Sequence, residues 1–212
     1  MSYDALLFDL DGTLWNTLRP VADAWNQVAT ERGGLPRVTP EQIRSIMGLS
    51  HGEAFAKLLP GVAEADREAA APAFYDREIR CLVENYLYPG VAAGLERLAG
   101  LYPLYLVSNC QPEYLERFYA LSALQKFFQD SECFGATGRP KGENISSVLR
   151  RNQRTRGAYI GDTAGDQIAA RHAGADYYHV NYGFGSPAQE CMAFDTFHQV
   201  VEFFVSLKEG PR

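Results

Sequence analysis

Three shortages narrow what this 212-residue chain can be. Positive charge is scarce: 20 Lys and Arg stand against 26 Asp and Glu, for a formal net charge of −6. Nucleic acid and anionic membrane surfaces both call for a basic footprint, so neither is expected as a partner. Long apolar runs are missing, since no stretch approaches the roughly 20 residues of a membrane span. Met1-Ser2-Tyr3-Asp4 lacks the basic region of a signal peptide, and a cytoplasmic location is expected. Cysteine is sparse, and Cys81, Cys110, Cys133 and Cys191 form no Cys-x-x-Cys pair. All four are expected to be reduced, buried thiols. Repeats, low-complexity tracts and disordered linkers are absent as well.

What the chain has is core material: 46% hydrophobic residues and 12% aromatics, enough for one domain with an insertion or for two small ones. Residues 5 to 8 are a continuous apolar run followed by Gly12, the pattern of a buried strand in a parallel sheet. Beyond Trp15 the spacing turns helical, through Val21, Ala24, Trp25, Val28 and Ala29. Further helices are predicted from Pro40, from Gly52, and over residues 63 to 86 with a break or bend near Pro72. After Pro89-Gly90 helix and strand alternate. Strands are predicted at 104 to 107, 131 to 134, 158 to 160 and 177 to 180, and helices at 91 to 99, from Pro112, at 142 to 151, 166 to 173 and 200 to 207. Alternation of this kind means an α/β doubly wound, Rossmann-like parallel sheet. Residues 1–16 and 87–212 are expected to form that core, with an all-helical cap at 17–86.

The first strand ends in Asp9-Leu10-Asp11. Side chains at i and i+2 point the same way while the chain stays extended, so both carboxylates can face one pocket. Two like charges so close call for a divalent cation or for one carboxyl kept protonated, and oxygen ligands favour magnesium. Ligands in such sheets bind beyond the carboxyl ends of strands, where three further groups fall. Ser108 supplies a hydroxyl and nearby amides. Lys141 brings a positive charge at a helix start. Gly161-Asp162-Thr163-Ala164-Gly165-Asp166 adds two acids, Asp162 placed for direct coordination and Asp166 for capping its helix and reaching a metal through water. Taken one by one, these residues also read as an Asp-Gly turn, a turn serine, a solvated lysine and a helix cap.

Taken together, Asp9 to Leu14, Ser108, Lys141 and Gly161 to Asp166 resemble, in order, the four motifs of the haloacid dehalogenase-like superfamily of phosphatases. The nearest branch is the phosphoglycolate phosphatase-like one, with a helical cap after the first strand. The resemblance implies that Asp9 is the nucleophile and Asp11 the general acid and base. Ser108 and Lys141, with the backbone amides of Leu10 and Asn109, would hold the phosphoryl group. Mg2+ would be held by Asp9, the Asp11 backbone carbonyl and Asp162, with Asp166 in support. The implied substrate is a small phosphorylated metabolite, phosphoglycolate or a sugar phosphate, and the implied state a monomer or homodimer. Substrate choice is expected in the loop 47–51, with Met47 and His51 as contacts. Trp15-Asn16 departs from the small apolar residue and acid usual in this branch. A sugar phosphomutase would carry His, Lys and Arg where this chain has Val21, Met47 and His51. The alternatives are a phosphotransferase of the same superfamily and a non-catalytic binder of phosphometabolites.

Overall fold

The computed structural model describes residues 3–209, with the side chain of His51 outside the described residues. Six strands make one parallel sheet: β1 (Ala5–Phe8), β2 (Leu104–Ser108), β3 (Phe128–Cys133), β4 (Gly157–Gly161), β5 (Asp176–Val180) and β6 (Ala193–Phe194). Their spatial order is β3-β2-β1-β4-β5-β6, so the direction of winding reverses beside β1. A crevice opens at such a reversal, beyond the carboxyl ends of the strands. β1 and β4 flank it, and the Asp9 amide donates to the Ile160 carbonyl at 2.9 Å.

The pleat divides the apolar residues of β1 between two layers. Leu6 and Phe8 join Leu104, Leu106 and Ile160 on one face, covered by α5 (Val91–Ala99), α6 (Pro112–Ser122) and α10 (Phe197–Glu209). Ala5 and Leu7 join Tyr105, Val107 and Tyr159 on the other, covered by α8 (Lys141–Arg151) and α9 (Ala164–His172). Burial on both faces is why β1, β2 and β4 read as unbroken apolar runs.

Four helices lie between β1 and α5: α1 (Leu18–Arg32), α2 (Pro40–Arg44), α3 (His51–Leu58) and α4 (Glu64–Cys81). They enclose a second cluster, joined by Phe184 from the loop after β5, in which Trp25 stacks on Phe74 at 4.2 Å and leans on Phe55 at 5.4 Å. The chain enters and leaves this block side by side. Asn16 donates its amide to the Tyr86 carbonyl at 2.8 Å, Tyr88 donates to Leu14 at 3.0 Å, and Trp15 bridges Leu87.

Four expectations are corrected. α4 is not interrupted at Pro72, which lies on the exposed face while Ala70 and Phe74 pack inward. β3 begins three residues earlier than predicted, as a half-exposed strand whose polar residues hide its period. The two-residue β6 and the short α7 (Phe134–Thr137) were not predicted. Cys110 and Cys133 are buried thiols, whereas Cys81 and Cys191 are only half-buried.

Candidate active site

The geometry starts from β1. Asp9 follows its last residue and is buried to 2% exposure, and Asp162 and Asp166 are fully buried beside it. One carboxylate oxygen from each of the three lies within 4.8 Å of the others. Asp9 and Asp162 sit at the ends of neighbouring strands; Asp166 comes from the first turn of α9. There it completes a capping box with Thr163, accepting on Oδ2 from the Thr163 amide at 3.0 Å and its hydroxyl at 2.7 Å.

Lys141 stands at the start of α8, where the helix dipole disfavours a cation. Its ammonium is redirected into the cluster, 2.8 Å from Asp9 Oδ1 and 2.7 Å from Asp166 Oδ1. Close packing of α8 on α9 makes that reach possible, since a Cβ on Gly142 would stand 2.9 Å from His172 Cδ2. Asp9 and Asp166 therefore share one ammonium, with the Asp162 carboxylate beside them. Burial pushes the Asp9 carboxyl up, with the Asp166 charge adding and Lys141 opposing. Asp162 is pushed up to about 7, by burial first and then by Asp166. An all-oxygen, negatively charged pocket with this imbalance suits a hard divalent cation.

Asp162 is set in place by glycines. Cβ atoms on Gly12, at φ +85°, and on Gly183 would each come within 2.2 Å of its side chain. The Phe184 amide and the Thr13 hydroxyl donate to its two oxygens at 2.7 and 3.2 Å.

Asp11 turns away from the cluster. Its Oδ1 accepts from the Tyr114 hydroxyl at 2.6 Å, the Thr17 hydroxyl at 2.8 Å and Trp15 Nε1 at 3.0 Å. Burial raises this carboxyl to about 6 against the opposing pull of those hydrogen bonds. The carboxylate lies apart from the three grouped acids, so only its backbone carbonyl is left for the metal role the resemblance implies.

Asp9, Asp11, Ser108, Asn109, Lys141 and Met47 line a cavity of about 80 Å³. Val21, Ile46, Leu49, Glu78 and Tyr114 complete much of its wall. Leu10, between the two acids, buries its side chain in the core, and its carbonyl accepts from the Leu14 amide at 2.8 Å. Asn109 Nδ2 donates to the Gly48 carbonyl at 2.8 Å, tying the end of β2 to the loop after α2. The same loop touches the other wall, where a Cβ on Gly48 would meet Thr163 at 3.2 Å. Arg44 donates to the Gly183 carbonyl at 3.0 Å. His51 opens α3, and its side chain lies outside the described residues. Tyr114 and Glu78 carry no site signal in the sequence, whereas Thr17 reads there only as part of a hinge and Phe184 only as part of a glycine-rich turn. They reach the site across as many as 103 residues, with no local pattern that marks them for it.

Such a strand-end pocket, buried acids gathered round one lysine at a winding reversal, defines a class of hydrolase. The chain belongs to the haloacid dehalogenase-like hydrolase family, whose model matches residues 6–180. It is 31% identical to the phosphoglycolate phosphatase of Chromobacterium violaceum over 97% of both chains. It is 30% identical to that of Rhodobacter capsulatus over 85% of both. A haloacid dehalogenase-like family hydrolase from Streptococcus pneumoniae superposes with a TM-score of 0.83 at 23% identity, covering 95% of this chain and 98% of that one, which is a likeness of fold.

Proposed function

We propose that the protein is a magnesium-dependent phosphatase that hydrolyses a small phosphomonoester through an aspartyl phosphate on Asp9. The observation that carries this reading is the pairing of Asp9 with Lys141 at 2.8 Å in a cavity that Asp11 also lines. An ionised carboxylate beside an ammonium is a ready nucleophile, and the ammonium stands where charge grows on the transferring phosphoryl oxygens.

Asp9 attacks phosphorus and the ester oxygen leaves. Asp11, raised to about 6 by burial, gives that oxygen its proton from its protonated form; once ionised, it takes a proton from the water that cleaves the aspartyl phosphate. Ser108, Lys141 and the amides of Leu10 and Asn109 hold the phosphoryl oxygens. Asp166 acts through Lys141, holding the same ammonium at 2.7 Å. Asp9, the Asp11 carbonyl and Asp162 would hold Mg2+, with Asp166 in support, and the cation when bound supplies positive charge to the phosphoryl group and relieves repulsion among the acids.

The helical block, residues 17–86, is read as a cap on the core formed by 1–16 and 87–212. Its loop after α2 presents Met47 to the leaving group and excludes water. Glycolate or sugar leaving groups are small enough to be tried first, in keeping with the named relatives. The test is phosphate release from a panel of small phosphomonoesters, with and without Mg2+, for wild type and Asp9→Asn. Turnover that needs both the cation and Asp9, with a loss of roughly 10⁴-fold or more in the variant, is expected. Equal release by both proteins would remove the hydrolase reading in favour of binding or transfer.

A further inference from the structure

We propose that Tyr114, together with Trp15 and Thr17, forms a positioning cage that holds Asp11 as a proton donor through one chosen oxygen. This rests on the reading of Asp11 as the acid. All three donors converge on Oδ1, from Tyr114 at 2.6 Å, Thr17 at 2.8 Å and Trp15 at 3.0 Å. A carboxyl oxygen has two lone pairs, so Oδ1 is saturated as an acceptor and the acid's hydrogen belongs on Oδ2. The cage thus sets both the rotation of the carboxyl and which oxygen gives up the proton.

The donors also locate each other. The Tyr114 and Thr17 hydroxyl oxygens are 2.9 Å apart. The Trp15 ring meets Tyr114 edge-on at 5.4 Å and Phe118 at 4.9 Å. Thr17 stands at the N-cap of α1 yet makes no side-chain cap bond. A threonine there normally stabilises its helix, and here the hydroxyl is committed to Asp11. Trp15 is fully buried, and its N–H is what a small apolar residue at that place cannot offer.

Leaving groups separate this role from a merely structural one. An alkyl phosphate needs a proton on its departing oxygen, whereas p-nitrophenyl phosphate releases a stable anion without one. General acid catalysis contributes roughly 10²- to 10⁴-fold. Tyr114→Phe keeps the ring and removes the donor. It is expected to cut kcat for ethyl phosphate by about 10-fold or more, with less than about 3-fold loss on p-nitrophenyl phosphate and unchanged KM for both. Thr17→Val, nearly isosteric, should show the same split if Tyr114→Phe folds poorly. Equal losses on both esters, or a raised KM with kcat intact, would overturn the cage. Absence of turnover by the wild type on these esters and on the whole panel of glycolate and sugar phosphates would overturn the phosphatase reading and this assignment with it.

Discussion

The α/β core and the helical block interrupting it are built on opposite electrostatic terms. Among the described residues, every charged side chain buried below the surface belongs to the core: Asp9, Lys141, Asp162 and Asp166. Apart from Thr17 at its entry, the block's buried residues are apolar, and its ion pairs, Arg77 with Glu31 and Arg80 with Asp76, lie on the outside. Buried charge is costly unless it is paired and hydrogen-bonded. A fold keeps such an arrangement where reacting groups need it, and the core is where attack and proton transfer are assigned. The block holds itself together by ring stacking and aliphatic contact.

The sharpest way to break the contrast is to remove the shared cation. Lys141→Met leaves Asp9 and Asp166 buried without their partner. Phosphate release should fall by roughly 10²- to 10³-fold, the scale of losing one preorganised charge at a transition state. A variant keeping a third of its activity would take Lys141 out of the chemistry. Next in size is Phe74→Ala, which empties the aromatic centre of the block. Burial and stacking there predict a loss of about 3 to 5 kcal/mol in denaturant unfolding; a loss under about 1 kcal/mol would mean the block is held by something else.

The smallest effect joins pH to the proposed cation. Asp162 is raised from its ordinary 3.8 to about 7, so in folding it favours the protonated form. Its contribution is present below about pH 4 and is lost as pH rises through 7. A divalent cation reverses that loss by pairing with the ionised carboxylate. Added Mg2+ should therefore raise Tm by a few degrees at pH 8 and by less at pH 5, the size expected for one bound ligand. The same rise at both pH values would show binding away from these acids.

Strands buried on both faces were readable because their apolar runs are continuous, as at Leu104 to Val107. β3 was legible only in part, because Gln129, Asp130 and Glu132 give an edge strand no clean pattern. Pro72 misled in the other direction, since it lies on an exposed helix face without ending the helix. At the site, Asp9, Asp11, Lys141, Asp162 and Asp166 carry their signal locally, in turn glycines and strand ends. Tyr114 carries none. It is one aromatic in a helix whose Leu115 and Phe118 are equally plain core residues, and only the fold brings its hydroxyl to Asp11. Phe184 is similar, because the useful group is a backbone amide that any residue at that place would provide.

The antiparallel pairing of Trp15 with Leu87 has a consequence for how such molecules diversify. Because the interruption departs and returns through adjacent strands of chain, its two ends already meet. A different segment can be spliced between them, or a short turn substituted, without shifting any strand of the sheet. Trp15 and Thr17 lie at the splice itself. An exchange made just outside them would deliver new selectivity to an intact catalytic base plate, and one made just inside would strip two of the three donors from its acid.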